Sequence, residues 1–406
     1  MFFFSLIGQA QEKENFKLVR SNEAFKRYMS NDKGIQFVQK DSLFSFQFQM
    51  RMQNRASYYS KSNTDFTPET FELRTARLRM KLKGFVYSPK ITYYVQLGFS
   101  RGDMNWNNNN NEANNFTPNL VRDALINIQA TEKWSIGFGQ TKLPGNRQAV
   151  ISSGDQQFVD RSITHSTFYL DRDFGFFSTL DLNRIIMKAA ITSGEGRNST
   201  KSNKGLSYTG RLEYLPFGKF SPKNDYIEGD LAREPKPKLS IGASYNYNSK
   251  AVRQSGQLGL DLYQETELQS IFLDLFFKYR GFAFYSEYNS RISNQPITFL
   301  ATDMSITRNS FVGYGNSSQI SYLFKNNYEI SARYSFINPF KTVYLNEMFP
   351  NVNEKKQERF QLGVTKYLYG HRLKIQGNLT HQISTDLRNN LSTSNYGVLF
   401  QFEIGI

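Results

Sequence analysis

Residues 75–84 read TARLRMKLKG, and from Ala76 to Lys83 cationic and apolar side chains alternate without a break. Arg77, Arg79, Lys81 and Lys83 hold the odd positions, while Ala76, Leu78, Met80 and Leu82 hold the even ones. Successive side chains of a β-strand point to opposite faces, so the stretch reads as a strand with one charged and one apolar face. The same period of two recurs along the chain. In 44–55, Phe44, Phe46, Phe48, Met50 and Met52 alternate with Ser45, Gln47, Gln49, Arg51, Gln53 and Arg55. In 328–336, Tyr328, Ile330, Ala332, Tyr334 and Phe336 alternate with Glu329, Ser331, Arg333 and Ser335. Residues 239–248, 373–382 and 398–404 repeat the pattern, and a helical period of 3.6 is almost absent.

Working outward, strands are expected near 44–57, 71–88, 91–100, 120–129, 134–141, 173–181, 185–193 and 205–217. Eight more are expected near 238–249, 267–279, 282–290, 312–324, 328–337, 354–369, 372–383 and 394–404. That makes about 16, an even number. Short connections, such as Pro89-Lys90, Leu182–Arg184, Arg280-Gly281 and Gly370-His371, alternate with long polar ones near 58–70, 101–119, 142–172, 194–204, 250–266, 291–311, 338–353 and 384–393. One connection on the short side, 218–237, is long and charged. Alternating short turns and long loops mark a transmembrane barrel. A soluble sandwich could share the period of two, but it would leave open edges and needs no such alternation of loops. The fold expected is all-β: a transmembrane antiparallel β-barrel of about 16 strands.

Composition agrees. The 406 residues include 36 Phe and 24 Tyr but only 39% hydrophobic residues, which suits strands wet on one face and greasy on the other. No apolar run is long enough for a spanning helix. The absence of Cys rules out disulfides and thiolate metal sites, and the three His stand without a partner nucleophile. No enzyme motif, metal site or cofactor is indicated. The net charge of +15 attracts anions, but the bases are spread over many strands rather than gathered on one surface, so nucleic acid is not the expected partner. Residues 1–10 read as a truncated signal-peptide remnant, 11–33 as a charged periplasmic lead-in, and 34–406 as one barrel domain. The Asn-rich 106–115 reads as a solvated loop tip.

If the apolar faces meet lipid, the cations face the lumen, since each would cost about 2–4 kcal/mol at the membrane midplane. Arg77, Arg79, Lys81 and Lys83 then form a row about 20 Å long, with steps of about 7 Å. Arg51, Arg55, Arg211, Arg333 and Arg359 share the inward face, as do Asp123, Glu213 and Glu329, which offset part of the field. Such a row substitutes for the hydration of an entering anion and repels cations. The alternative is a polar, weakly selective lumen.

Several stretches resemble the phosphate-selective porin O and P family in its Bacteroidetes-like form, from about residue 35 onward. They are TARLRMKLKGFVY (75–87), VRDALINI (121–128), GFGQTKLPGNRQAVISSGDQQFVDRSI (137–163), RDFG (172–175), and the block 229–259 with FKYRGFAFYSEYNSR (277–291). The resemblance implies a homotrimeric, 16-stranded porin in the outer membrane of Gram-negative bacteria, bathed in outer-membrane lipid and passing inorganic phosphate or other small anions. It further implies that the third extracellular loop, here 142–172, folds into the lumen, with Lys142, Arg147, Arg161 and Arg172 as its basic positions. The middle of that loop, 148–159, reads as helix-like. Arg147 and Arg161 could instead pair with Asp155, Asp160 or wall carboxylates and pin the loop. A second functional reading is a porin-like barrel serving as a structural or assembly subunit, with 218–237 and the lead-in as docking surfaces.

Overall fold

The computed structural model describes residues 25–30, 34–39, 43–100, 120–199, 203–222 and 224–406. The expected signal remnant, most of the lead-in and the Asn-rich 106–115 lie outside the described residues. In chain order the strands begin with a hairpin, β1 (Phe25–Ser30) and β2 (Gly34–Gln39). Then follow β3 (Ser45–Ser60), β4 (Pro68–Val86), β5 (Ser88–Gly98), β6 (Val121–Gln129), β7 (Trp134–Lys142) and β8 (Arg172–Asp181). β9 (Ile185–Thr192), β10 (Ser207–Tyr214), β11 (Lys238–Arg253), β12 (Asp261–Tyr279) and β13 (Phe282–Ile292) come next. A small separate hairpin, β14 (Ile297–Leu300) and β15 (Asp303–Asn309), precedes β16 (Gly313–Leu323) and β17 (Tyr328–Pro339). The last are β18 (Lys356–Tyr369), β19 (Leu373–Asp386) and β20 (Leu391–Gly405).

Every neighbouring pair is antiparallel, and the sheet closes where β20 pairs with β3, from Gly397↔Tyr59 to Gly405↔Arg51. Leaving out β1, β2, β14 and β15, the closed ring is a 16-stranded barrel. Closure satisfies every edge, which a bilayer demands because an unpaired backbone group there costs several kcal/mol. The β1–β2 hairpin continues the sheet by pairing β2 with the start of β3, Ile35↔Phe48 to Val38↔Ser45. The turn between β12 and β13 is only Arg280-Gly281, both left-handed with φ of 48° and 92°, a conformation that matches hairpin twist.

The two faces divide as alternation requires. On β18, Leu362 is 60% exposed and Gln361 4%; on β20, Phe400 is 51% exposed and Gln401 1%. The apolar positions thus form the outer surface. Leu78, Met80 and Leu82 register opposite Met52, Met50 and Phe48 of β3, so the even side of the opening stretch belongs to an apolar outer face. A bulge at Ala76, between the pairs Gln53↔Arg77 and Asn54↔Thr75, switches the phase. Before it the odd residues Phe71 and Leu73 are exposed; after it the odd residues are the inward cations.

Several connections expected to be long are partly strand. β3–β4, β11–β12 and β19–β20 continue pairing into 58–70, 250–266 and 384–393, leaving 61–67, 254–260 and 387–390 outside the strands. Outside the bilayer both faces are wet, so polar residues on both sides of a paired strand erase the alternation that signals it. Residues 143–171 carry two short helices, α1 (Arg147–Val150) and α2 (Ile163–Phe168). The helix expected over 148–159 stops at Val150, because Ser152, Ser153 and Gly154 leave the helix to meet inward side chains. Within 143–171, Leu143, Ile163, Phe168 and Leu170 pack with Ala190, Phe272 and Ile337 of the strands. The long connection 215–237 is also folded in: Asn224, Glu228, Asp230 and Glu234 are buried, which removes them from any docking surface.

Candidate ion pathway

The inner face of β3 and β4 is assembled by register. Arg51 stands opposite Arg79, Gln49 opposite Lys81, Gln47 opposite Lys83, Gln53 opposite Arg77 and Arg55 opposite Arg74. Nearer the strand ends Glu72 stands opposite Ser57 and pairs with Arg74 at 3.2 Å. No Asp or Glu occurs in 45–60 or 75–86, so this part of the wall supplies positive charge only. Its carboxylate partners come from elsewhere. Arg55 grips Asp160 with two hydrogen bonds, of 2.7 and 2.9 Å, and donates to the Val159 carbonyl at 2.9 Å. Arg77 donates to Gln53 Oε1 at 3.0 Å and lies 3.9 Å from Asp160. Arg51 donates to the hydroxyls of Ser152 (3.0 Å) and Ser153 (2.8 Å) and sits 3.6 Å from Glu403. Arg79 donates to the same Ser153 hydroxyl at 3.1 Å. Gly154 lies so close to the Arg51 guanidinium that a Cβ there would collide with it. Among the described residues, Lys81 makes no hydrogen bond or ion pair, and both Lys81 and Lys83 are only half-buried.

The basic residues of 142–172 behave differently from one another. Lys142 donates to the carbonyls of Val150 (2.8 Å) and Ile151 (3.3 Å). Arg161 donates to those of Gln148 (3.0 Å) and Ile151 (2.9 Å), bracing the segment against itself. Ser162 caps α2 by accepting from the His165 backbone N–H at 3.0 Å. Arg172 is paired with Asp123 at 2.9 Å and Asp171 at 3.2 Å.

Two cations expected in the pathway depart from that role. Arg147 and Arg211 have fully buried side chains and meet at Asp274 and Glu213. Arg147 lies 2.6 Å from Asp274 and 3.5 Å from Glu213; Arg211 lies 2.7 Å from each. Lys188 completes the cluster 2.9 Å from Glu213. A buried charge is tolerated only when paired and hydrogen-bonded, and this network fixes the start of α1 to β10–β12. For Arg147 this is the pinning by wall carboxylates that the sequence left open; for Arg211, Glu213 two residues on along the strand was a local sign, but Asp274 lies on a strand far away in sequence. Lys374 was missed for the same reason: it donates to the carbonyls of Gly154 and Gln156, both at 2.8 Å, although its inward phase was visible.

Electrostatics in the loop follow from this crowd of cations. Burial would raise the Asp160 carboxyl, but Arg55 and Arg77 hold it below the ordinary carboxylate range. Burial, followed by Arg161 and Lys142, pushes His165 well below the usual imidazole value. In the β18–β19 turn, burial and Lys374 bring His371 down to about 3. Both imidazoles are neutral near pH 7. Among the described residues no cluster of His, Asp and Glu is placed to hold a metal ion.

A closed 16-stranded barrel, greasy outside and charged within, is the architecture of an outer-membrane porin, and the chain is a bacterial outer-membrane protein of that class. It belongs to the phosphate-selective porin O and P family, whose model matches residues 46–251, just over half the chain. No curated protein sequence matches it. Among solved structures it is similar to an anion-selective porin from Comamonas acidovorans, with a TM-score of 0.54 and 11% identity over 89% of this chain and 100% of that one. It is similar to OmpF of Salmonella typhi, with a TM-score of 0.54 and 10% identity over 93% and 100%. The trimer form of OmpT from Vibrio cholerae has a TM-score of 0.51 and 10% identity over 89% and 99%. At these identities the likeness is one of fold.

Proposed function

We propose that this porin is a passive, anion-preferring channel that admits phosphate. Its filter is the inward row Arg51, Arg77, Arg79, Lys81 and Lys83, narrowed by an inward-folded third extracellular loop that brings Lys142 and Arg161 beside it. Arg55 belongs to the same wall and is largely committed to Asp160. The observation that carries the reading is the β3–β4 inner face over 45–60 and 75–86: rich in cations, free of carboxylates of its own, and open to water at Lys81 and Lys83. Fixed cations around a narrow aqueous path raise the local concentration of anions and exclude cations. The anion-selective neighbour from Comamonas lends the same direction by analogy of fold. A homotrimer is the assembly this reading expects, in line with the trimeric Vibrio neighbour.

Single channels in a planar bilayer under a KCl gradient test the proposal. A reversal potential showing chloride passing in preference to potassium supports it, as does block of chloride current by added phosphate. A reversal potential on the cation side refutes it.

A further inference from the structure

The inward face is polar all round the barrel, yet water reaches it along one arc. On β4 to β8, inward side chains such as Lys81, Thr92, Asn127, Thr141 and Thr179 are half-exposed. On β11–β13 and β16–β19 their counterparts, among them Asn246, Lys278, Ser317, Glu329, Thr365 and Gln376, are buried. Protein fills that side, and it comes from both ends of the barrel. Residues 143–171 connect β7 to β8 at the long-loop end, whereas 215–237 connect β10 to β11 at the short-turn end.

The two segments meet at Glu228. Its backbone N–H donates to the Asp155 carbonyl at 2.8 Å. Its carboxylate accepts from Gln148 Nε2 at 3.1 Å and from the Gln157 backbone N–H at 3.0 Å. The connection is in turn tied to the wall. Lys278 Nζ donates to the Asn224 carbonyl (2.6 Å), the Asn224 side-chain oxygen (2.8 Å) and the Ile227 carbonyl (2.8 Å). Asp230 accepts from the Gly281 N–H at 2.7 Å. A further contact with the loop is made by Arg147 of α1, which donates to the Asp225 carbonyl at 2.9 Å.

We propose that residues 215–237 are an internal strut that closes the β11–β19 side of the lumen and holds residues 151–160 against the β3–β4 cations. The strut sets the bore and confines permeation to the β3–β8 arc. Glu228 is the positioning residue, because three hydrogen bonds join strut and loop there. The proposal rests on the channel reading above, but not on the sign of its ion preference.

Two variants test it: residues 221–234 replaced by a four-residue Gly-Ser turn, and Glu228→Ala, which keeps the strut but removes two of its acceptors. Barrel integrity is checked by heat-modifiable electrophoretic migration, and conductance is read in symmetric 1 M KCl. The turn replacement is expected to conduct more than the parent, since the share of the lumen that the strut fills is released. Glu228→Ala should give a smaller rise with noisier open levels as the loop tip loosens. Parent-like conductance in both folded variants overturns the proposal. If the replacement does not fold, an unchanged, quiet Glu228→Ala channel is sufficient to overturn it. A parent channel without anion preference refutes the proposed function and leaves this comparison of conductances intact.

Discussion

Lys81→Glu is the cleanest perturbation of the inward row, because Lys81 has no hydrogen bond or ion pair to lose among the described residues. An ion passing about 7 Å from this side chain in a water-filled lumen feels about 0.6 kcal/mol per unit charge before screening. Reversal changes the fixed charge by two units, or about 1.2 kcal/mol, and a Debye length of about 10 Å at 0.1 M salt cuts this to about 0.6 kcal/mol. Anion occupancy then falls about threefold and cation occupancy rises about threefold, so the permeability ratio drops about sevenfold. Lys81→Gln removes one unit and should shift the ratio a little under threefold. At 1 M salt the Debye length is about 3 Å, and the effect of the reversal shrinks to less than about twofold. Reversal potentials of single channels at the two salt concentrations measure all of this. A ratio that moves by less than about twofold at 0.1 M would take Lys81 out of the permeation path. An equal shift at both concentrations would show that the substitution acts through structure rather than through its field.

Arg147→Met removes a cation from the buried cluster at Asp274 and Glu213 while Arg211 and Lys188 stay. It should lower barrel stability by about 3 kcal/mol, the lower end for breaking a buried pair, read as a guanidinium midpoint in vesicles. Leu362→Arg places a charge on the outer face and should cost about 2–4 kcal/mol in the same assay. An Arg at Leu362 without penalty would reverse the assignment of faces. Between pH 8 and 5, His165, His371 and Asp160 should contribute no change in ion preference, because the two imidazoles stay neutral and the carboxylate stays ionised. Asp160 has a folded value below its unfolded one, so its stabilisation is complete above about pH 4 and is lost as pH falls through the depressed value. In that acid window the loss of its negative charge should raise the anion-to-cation ratio, again by reversal potential.

Each of the sixteen barrel strands was legible as an alternation, because lipid on one side and water on the other impose a period of two on every segment that crosses the bilayer. Legibility failed where that contrast ends. The extensions of β3–β4 and β19–β20 are polar on both faces and carry no periodic mark, and the short β14–β15 hairpin packs Ile297 and Phe299 against the neighbouring loop residues Val343 and Phe349 rather than in the barrel wall. It failed again where the lumen is packed: Phe272 and Phe276 of β12 face inward and are buried, so LDLFFKY (273–279) is apolar on both faces over Phe276 and Phe277 and cannot be phased locally. The phase switch at Ala76 was visible in principle, since Phe71 and Leu73 are odd while Leu78, Met80 and Leu82 are even. For the ion path, the sequence located the cations on the inner face but not their occupation. Arg211 has Glu213 two residues on where Arg79 has Lys81, but Asp274, which also pairs with Arg211, lies 63 residues beyond it.

That contrast explains why the open arc lies where it does. Taking a charge out of water costs several kcal/mol unless an opposite charge and hydrogen bonds meet it. Where the wall supplies acids, as at Glu213, Asp274 and Glu329, protein can be packed against the inner face and its polar groups satisfied. The β3–β4 wall supplies no acid over 45–60 and 75–86, and the loop brings only Asp155 and Asp160 near a longer file of cations. Packing protein fully over that file would bury Lys81 without an ion-pair partner among the described residues, so the filling must stop short and leave water beside it. On this argument the run of bases in 75–84 places the aqueous path as well as lining it. A Lys81→Leu/Lys83→Leu variant should therefore lose conductance as well as anion preference, because the loop could then settle onto an uncharged wall. Retention of full conductance by that variant in planar bilayers would show that the arc is held open by the backbone and not by its charge.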